Sequence, residues 1–233
     1  HRAYLKYGGN GFYVLSCDVR HYYDTMRHDV TNAMFAKKCD GWTSRRVAET
    51  LDKQYLGECG YNPGSQMVQI AGISYLNGID HFIKERLRVK LYVRYMDDFH
   101  IIGKDDKELV EKRRAIEREM AKIGMELHPT KTAIRPASVG VTFLGYTYRV
   151  TESGKVLMFR DRKRVKEVRR RMVRLANRIK RGDTHRSALA ESYQSVRSAL
   201  AKGNSARLLR RMDSFYRNLE KEIENGKTRI KKF

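Results

Sequence analysis

The stretch YVRYMDDFHII, residues 92–102, decides how the rest of the sequence is interpreted. Apolar, β-branched and aromatic residues lie on both sides of two adjacent carboxylates, Asp97 and Asp98, and this pattern predicts two strands joined by a tight turn. Side chains on a strand alternate between its faces, but a turn can bring neighbouring acids to one side. Two acids at one place repel each other unless a cation lies between them, and Mg²⁺ is the ion that carboxylates commonly hold there.

A second apolar run, residues 12–19, places another acid, Asp18, at its far end. An Asp-Asp pair alone is most often an ordinary turn, because Asp side chains bond to nearby backbone groups. The second strand that ends in an acid favours a functional site instead. We therefore predict that Asp18, Asp97 and Asp98 converge on one site for divalent cations.

The quartet Tyr95-Met96-Asp97-Asp98 between apolar strands, preceded by residues 18–24 (DVRHYYD), resembles the palm of a reverse transcriptase, an RNA-directed DNA polymerase. More narrowly, it is similar to the bacterial and phage enzymes of retrons, group II introns and diversity-generating retroelements. The resemblance implies an α+β fold, with a right-hand polymerase palm (an antiparallel sheet with helices packed on one face) followed by an all-α three-helix thumb. It implies a palm over residues 1–159 and a basic thumb over residues 160–233.

The resemblance also implies the reaction, which adds deoxynucleotides to the 3′-hydroxyl of a primer with two Mg²⁺ ions, for which Mn²⁺ could substitute. Asp18 and Asp97 would bridge the ions. Asp98 would be a weaker ligand, or an acid that contacts the ligands and not the ions, and the backbone carbonyl of Val19 would be a further ligand. Two such ions stabilise the attacking and the leaving oxygen of an in-line displacement. Positioning and charge stabilisation would supply the rate.

Further residues are assigned to substrate contacts by the same resemblance. Tyr23 holds the place of an aromatic ring beneath the nucleotide sugar, which would exclude a ribose 2′-hydroxyl; core packing is the alternative. Gly64 and Gln69 match a motif that contacts template and nucleotide, although Val68 replaces its usual serine, and Gly64 could equally serve only the turn. The residues around Lys131 resemble those around a family lysine that lies near the departing pyrophosphate. An ordinary surface lysine with no such role is an equal alternative.

Nucleic-acid contacts are expected at three places. Met96 lies in the predicted turn, and the run Phe143-Leu144-Gly145 resembles the strand that grips the primer, with a hairpin turn at residues 152–154 and a return strand over 155–159. From residue 161 an aliphatic stripe at helical spacing is backed by a basic face that includes Arg170, Arg174 and Arg178. Solubility would explain some of this charge, but phosphate contact explains an almost unbroken arginine stripe better.

Other periodic patterns predict helices over residues 28–38 and 66–88, the second with Ile70 on a partly buried face. Another helix is capped near Asp105 and ends at Gly124, and a further helix has Thr43 or Ser44 as its N-cap. Three short-looped basic helices after residue 160 predict a bundle.

The composition points to a polyanionic partner. Lysine and arginine total 49 against 27 acids, and the formal net charge is +22. Nucleic acid is the commonest match for such a charge and an anionic membrane surface the next. No apolar run approaches the ~20 residues of a membrane-spanning helix, and the aliphatic stripe lacks the aromatics of a membrane-surface helix. The expected partners are an RNA template, a primer–template duplex and dNTPs, with an accessory protein or structured RNA of the retroelement, and no membrane.

Three cysteines without a Cys-x-x-Cys pattern predict reduced thiols and a cytoplasmic location. The sequence begins at His1, shortly before Asp18, where the resemblance implies a substantial fingers region. We therefore expect a fragment, with fingers in another chain or lost fingers as the alternatives. We expect this chain alone to polymerise poorly or not at all. The alternative function is a catalytically silent, maturase-like RNA-binding protein that keeps the polymerase fold, and the three retained acids argue against it.

Overall fold

The structure, a computed structural model, describes residues 2–9 and 11–225. The chain divides into two units, His1–Ala137 and Ser138–Phe233. This boundary lies earlier than residue 159, where the composition changes, so the strands that follow Ala137 group with the basic helices. Residues 226–233 of the predicted thumb lie outside the described residues. The functional division into palm and thumb stays a prediction.

The first unit is built around an antiparallel sheet that contains both acid-bearing runs. It consists of β1 (Tyr13–Asp18), β2 (Leu91–Tyr95), β3 (Asp98–Gly103) and β4 (Ala133–Pro136), in the spatial order β2-β3-β1-β4. The register places Asp98 opposite Asp18 on one side and opposite Tyr95 on the other. The prediction of strand, turn and strand is confirmed.

The main hydrophobic core lies where one face of this sheet meets the helices. Leu15 and Cys17 of β1 and Phe99 and Ile101 of β3 are almost fully buried, at the two-residue spacing of a strand face. Burying such side chains is worth roughly 1.5–3 kcal/mol each. The strand ends that carry the acids are therefore anchored in the core.

Helices of the first unit surround this sheet. Two predicted ends are confirmed: Asp105 accepts a hydrogen bond from the Lys107 N–H (2.9 Å) at the start of the helix Asp106–Ala121, and Gly124 adopts a φ of 75° just after it. The predicted N-caps of the helix Gly41–Gln54 are wrong, because the carboxylate of Asp40 accepts the N–H bonds there. The helices are α1 (Arg2–Gly8), α2 (Tyr22–Thr25), α3 (His28–Lys38), α4 (Gly41–Gln54), α5 (Gln66–Tyr75), α6 (Asn77–His81) and α7 (Asp106–Ala121).

The single helix predicted over residues 66–88 is wrong, since the segment divides into α5, α6 and a π-helical turn, Phe82–Arg86. Leu76 leaves α-helical geometry (φ −84°, ψ 10°), and the next two residues, Asn and Gly, have low helix propensity. Ile70, expected on a buried face, is 53% exposed, whereas Val68 is fully buried. Because this position is fully buried in the core, packing explains a valine where the family motif has serine.

The second unit begins with a three-stranded antiparallel sheet. Leu144 (φ 50°) and Gly145 (φ 76°) form a turn that the sequence interpretation missed, so the predicted two-stranded hairpin gains a strand. Positive φ at both central residues is what a type I′ hairpin turn requires. The strands are β5 (Val141–Phe143), β6 (Tyr146–Val150) and β7 (Val156–Arg160).

The predicted three-helix bundle follows and is confirmed as α8 (Arg162–Lys180), α9 (Ser187–Ala201) and α10 (Ala206–Glu224). Its core includes Met172, Leu189, Tyr193, Met212 and Leu219, drawn from all three helices. No helix in the described part of the chain has both the length and the apolar character needed to cross a membrane.

The bundle is joined to β7 by backbone contacts. The N–H of Asn204 donates to the carbonyl of Met158 (2.7 Å), and the Met158 N–H donates to Oδ1 of Asn204 (2.9 Å). A Cβ at Gly203 would lie 2.6 Å from the Met158 carbonyl oxygen, so only glycine allows this approach. These contacts explain why the sheet and the bundle form one unit.

A close contact in the first unit gives a test of packing. A Cβ at Gly72 of α5 would lie 2.8 Å from the hydroxyl oxygen of Tyr23. Gly72→Ala should lower the free energy of unfolding by about 1 kcal/mol net, because an overpacking cost of about 1–3 kcal/mol exceeds the ~1 kcal/mol of helix propensity that alanine gains. Chemical denaturation measures the change.

Gly78→Ala is the matched control, because nothing lies within 4 Å of a Cβ at that helical glycine. It should leave stability unchanged or raise it by up to ~1 kcal/mol. Equal effects of the two substitutions would contradict the contact between α5 and Tyr23.

Candidate active site

The three predicted acids meet at one end of the first sheet. Asp18 ends β1, Asp98 begins β3, and the two are paired in the antiparallel register. Asp97 is the second residue of the two-residue turn between β2 and β3, next to Asp98. Strand pairing therefore brings residues about eighty positions apart to the same edge.

The carboxylates are close enough to influence one another. Burial first, and then the negative charges of Asp18 and Asp97, raise the pKa of Asp98 to about 7. Burial and the charge of Asp18 also raise the pKa of Asp97. His100 does not neutralise Asp98: its Nε2 lies 3.7 Å from Asp98 Oδ1, but burial lowers the pKa of His100 to about 3. The sheet end thus carries negative charge that a cation would stabilise.

The donor set suits a hard divalent cation. Among the described residues, no three His, Cys, Asp or Glu side chains already stand as a metal-binding group. Mg²⁺ seldom uses an all-protein cage and is usually held by one or two carboxylates together with substrate phosphates and water. The acids of this sheet end fit that mode of binding better than the mode of a closed structural site.

Lys131 belongs to the acid cluster. Its Nζ donates to Oδ1 of Asp18 at 2.9 Å, and its charge counteracts the rise in the pKa of Asp97 and of Asp98. The lysine is half-exposed, so its ammonium group can leave the carboxylate at little cost. Its predicted role at the pyrophosphate stays a prediction.

The turn that carries Asp97 is supported by a partly buried ion pair that the sequence interpretation missed. Met96 has a φ of 58°, the positive value that a type II′ hairpin needs at its first turn residue. Arg94 donates from Nη1 to the Met96 carbonyl (2.9 Å) and makes a two-pronged bond to Asp80, from Nε at 2.8 Å and from Nη2 at 2.5 Å. The hydroxyl of Tyr92 donates to the same carboxylate at 2.5 Å. A lone arginine within an apolar strand was the available signal.

Tyr23 lies beside this end of the sheet. Its ring is half-buried, packs edge-on against Tyr22 (centroids 5.4 Å apart) and lies against Gly72 of α5. Burial first, and then the charges of Asp97 and Tyr95, raise the pKa of Tyr23. The ring is therefore within electrostatic reach of the acids, as a residue beneath a bound sugar should be, and its role as a sugar gate stays a prediction.

The other predicted substrate contacts of the first unit are distributed around these residues. Val19 is buried and forms an isolated β-bridge with Leu127. In the hydrogen bonds of this bridge, the N–H of Arg20 donates to the Glu126 carbonyl and the N–H of His128 donates to the Asp18 carbonyl, so the bridge does not use the Val19 carbonyl. Gly64 and Gln69 are exposed, the first in the loop before α5 and the second in its first turn. Their roles stay predictions.

In the second unit, the predicted nucleic-acid contacts differ in accessibility. Phe143 is buried and supports the turn, while Leu144 is 48% exposed at its tip beside Gly145. The accessible part of the predicted primer contact is therefore the turn itself. All three predicted arginines of α8 are exposed: Arg170, Arg174 and Arg178.

Two structures of yeast telomerases share this fold. Telomerase from Candida albicans, solved in complex with a TWJ fragment of telomeric RNA, superposes with a TM-score of 0.53 at 13% identity, covering 90% of this chain and 40% of that one. Apo telomerase from Candida tropicalis gives a TM-score of 0.51 at 15% identity, covering 66% of this chain and 34% of that one. The chain thus spans between a third and two fifths of these proteins.

A search of curated proteins gave no significant match. The narrower bacterial and phage grouping stays a prediction, because the telomerase likenesses concern the fold alone. A sequence model of the family "Reverse transcriptase (RNA-dependent DNA polymerase)" matches residues 3–148, a segment that contains every acid of the cluster. That segment is well over half of the 233 residues, and the protein therefore belongs to the reverse transcriptase family.

Proposed function

We propose that the protein is an RNA-directed DNA polymerase of a bacterial or phage retroelement, which adds deoxynucleotides to the 3′-hydroxyl of a primer. The observation that carries the proposal is the meeting of Asp18, Asp97 and Asp98 at one sheet end, with the pKa of Asp98 raised to about 7. Perturbed carboxylates gathered in this way are typical of sites that carry chemistry. Family membership supplies the reaction class.

The three carboxylates would hold two Mg²⁺ ions, or Mn²⁺ in their place, with the Val19 carbonyl as a further oxygen. Such ions, when bound, stabilise the attacking and leaving oxygens of a phosphoryl transfer. The buried strands keep Asp18 and Asp98 at fixed separation, and the Arg94–Asp80 pair holds the turn that carries Asp97. Rigid support of this kind reduces the reorganisation needed in the transition state.

Two further side chains act on the nucleotide in this proposal. The ring of Tyr23 would exclude a ribose 2′-hydroxyl and so select dNTPs. Lys131 leaves Asp18 as a cation arrives and places its ammonium group near the departing pyrophosphate, where it stabilises negative charge. Its half-exposed position makes this movement inexpensive.

The proposed partners follow from charge and family. An RNA template and a primer–template duplex would lie on the turn at Met96, on the turn at Leu144 and Gly145, and on Arg170, Arg174 and Arg178 of α8. A net charge of +22 supports polyanion binding in general. An accessory protein or structured RNA and a cytoplasmic location belong to the same proposal.

The first test of the acids combines metal binding with activity. Asp18→Asn and Asp97→Asn should each weaken Mn²⁺ binding and reduce primer extension by the full-length protein roughly 10²-fold or more, because an electrostatic contributor at the reacting centre is lost. Calorimetric titration with Mn²⁺ and a primed RNA template provide the two measurements.

Asp24→Asn is the control, since Asp24 is an exposed acid whose Oδ2 lies 3.7 Å from Nδ1 of His21. It should change neither measurement. Mn²⁺ binding that persists in both acid variants would refute the metal site. A parent protein that binds RNA but neither Mn²⁺ nor dNTPs would favour the catalytically silent, RNA-binding alternative.

The raised pKa of Asp98 predicts a stability difference without divalent ions. The folded pKa of about 7 lies above the ~3.9 of an unfolded chain, so parent stability should fall as pH rises from about 4 to about 7. Asp98→Asn cannot ionise, and its Tm should therefore exceed that of the parent above pH 7 and approach it below pH 4. Thermal melts in EDTA measure both.

Asp52→Asn, at an exposed position of α4, controls for loss of a surface acid. A difference between parent and Asp98→Asn that does not vary with pH would contradict the raised pKa of Asp98. Added Mg²⁺ should stabilise the parent more than the variant.

Tyr23 gives a test of sugar selection. Tyr23→Val should lower the ratio of kcat/KM for dNTP over rNTP by roughly tenfold or more, because a bulky ring no longer excludes the 2′-hydroxyl. Single-nucleotide incorporation by the full-length protein measures the ratio. Tyr7→Val, at an exposed tyrosine of α1, should leave it unchanged. Unaltered rejection of rNTPs by Tyr23→Val would remove the gate assignment.

A further inference from the structure

The groove between α8 and α10 holds arginine charge that acids do not balance. A cavity of about 560 Å³ is lined there by Arg169 of α8 and by Arg207, Arg210 and Arg211 of α10. Among the described residues, no carboxylate lies within 4.0 Å of any of these four guanidinium groups. The other lining side chains are Ser214, Phe215 and Asn218.

Arg169 lies over an aromatic ring in this groove and has an unpartnered buried nitrogen. Its guanidinium carbon lies 5.2 Å from the centre of the Phe215 ring, and its Nε is buried without a hydrogen-bond partner in the described residues. A buried donor without a partner has lost its hydrogen bonds to water without compensation, and this cost is larger when the group is charged. A ligand that offers an oxygen here would recover that cost.

Another basic cavity of the bundle, between α8 and α9, is neutralised in part. There Arg164 pairs with Glu167 at 3.4 Å, and Arg171 donates to the hydroxyl of Ser192 at 3.2 Å. Arg174 also lines that cavity, and Arg170 is an exposed residue of α8. The α8/α10 groove differs because its arginine charge has no acid partner among the described residues.

The chemistry of the groove matches an unpaired strand. Arg210 and Arg211 lie three and four residues after Arg207, so each is its neighbour on the surface of α10, about 5–6 Å away, a spacing suited to successive phosphates. The Arg169–Phe215 pair provides a flat surface of the kind on which bases stack, and Asn218 can bond to a base edge. A duplex keeps its bases stacked inside and so has no free base to offer to this pair.

We propose that the α8/α10 groove binds an unpaired nucleic-acid strand, with the three arginines of α10 on its phosphates and the Arg169–Phe215 pair stacked on a base. This site goes beyond the proposed polymerase activity and needs neither metal nor dNTP. Arg170, Arg174 and Arg178 do not line this groove and stay available for a duplex, so the second unit can hold a duplex and a free strand at the same time.

The test compares two binding reactions in EDTA, on the full-length protein. A short oligo-uridine is the unpaired probe, and a blunt RNA–DNA duplex is the paired probe. Arg207→Ala with Arg211→Ala should lower the salt slope for oligo-uridine by about 0.7 per lost contact and leave the duplex slope unchanged. Phe215→Leu should weaken oligo-uridine binding roughly fivefold or more through lost stacking.

Matched controls separate this site from the proposed duplex face. Arg170→Ala with Arg174→Ala and Arg178→Ala should reduce the duplex slope and leave oligo-uridine binding intact. An abasic oligonucleotide with the same phosphates should bind the parent less tightly than oligo-uridine, and Phe215→Leu should remove that difference. Circular dichroism and unchanged duplex binding show that the groove variants are folded.

Three outcomes would overturn the proposal. They are groove variants that leave oligo-uridine binding unchanged, groove variants that weaken both probes equally, and a polyglutamate peptide that displaces oligo-uridine at equal charge. None of these outcomes depends on whether the protein polymerises, so the polymerase proposal is tested separately.

Discussion

The structure depends on holding like charges together at the end of the first sheet. Asp18 and Asp98 are fixed opposite each other by the pairing of β1 with β3, whose neighbouring side chains are buried in the core. Burial first, and then this repulsion, raise the pKa of Asp98, and core burial of several kcal/mol opposes both costs. Lys131 offsets part of the charge on Asp18. The sheet thereby maintains a negative site that a cation can complete.

Local sequence patterns predicted most of the helices and strands, because hydrophobic periodicity and turn-forming residues act over only a few positions. The strands around Asp97 and the three helices of the bundle follow directly from spacing. The helix over residues 66–88 was predicted wrongly, since apolar residues continue in register past Leu76 while its backbone does not. The turn at Leu144 was missed because a non-glycine residue with positive φ gives no sequence signal.

The acids of the site could be predicted from the sequence, but the residues that hold those acids in place could not. Asp18, Asp97 and Asp98 follow strands whose ends could be read from the sequence. The pairing of Lys131 with Asp18 spans 113 positions, and that of Arg94 with Asp80 joins a strand to a separate helix. Such contacts depend on tertiary structure, which no local period encodes. The Arg94 bonds matter because they hold Met96 in a conformation that is costly for a side chain with a Cβ.

The contact of Asn204 with Met158 has a consequence for how the second unit resists association. A strand at the edge of a sheet exposes unpaired N–H and C=O groups that another chain can pair with. On β7, the Met158 groups are taken by the backbone and side-chain amides of Asn204, and Gly203 lets the loop lie directly against the strand. The loop between α9 and α10 therefore acts as a cap on this edge. A cut near residue 160, where the composition changes, would separate the cap from its strand and leave an edge open to aggregation.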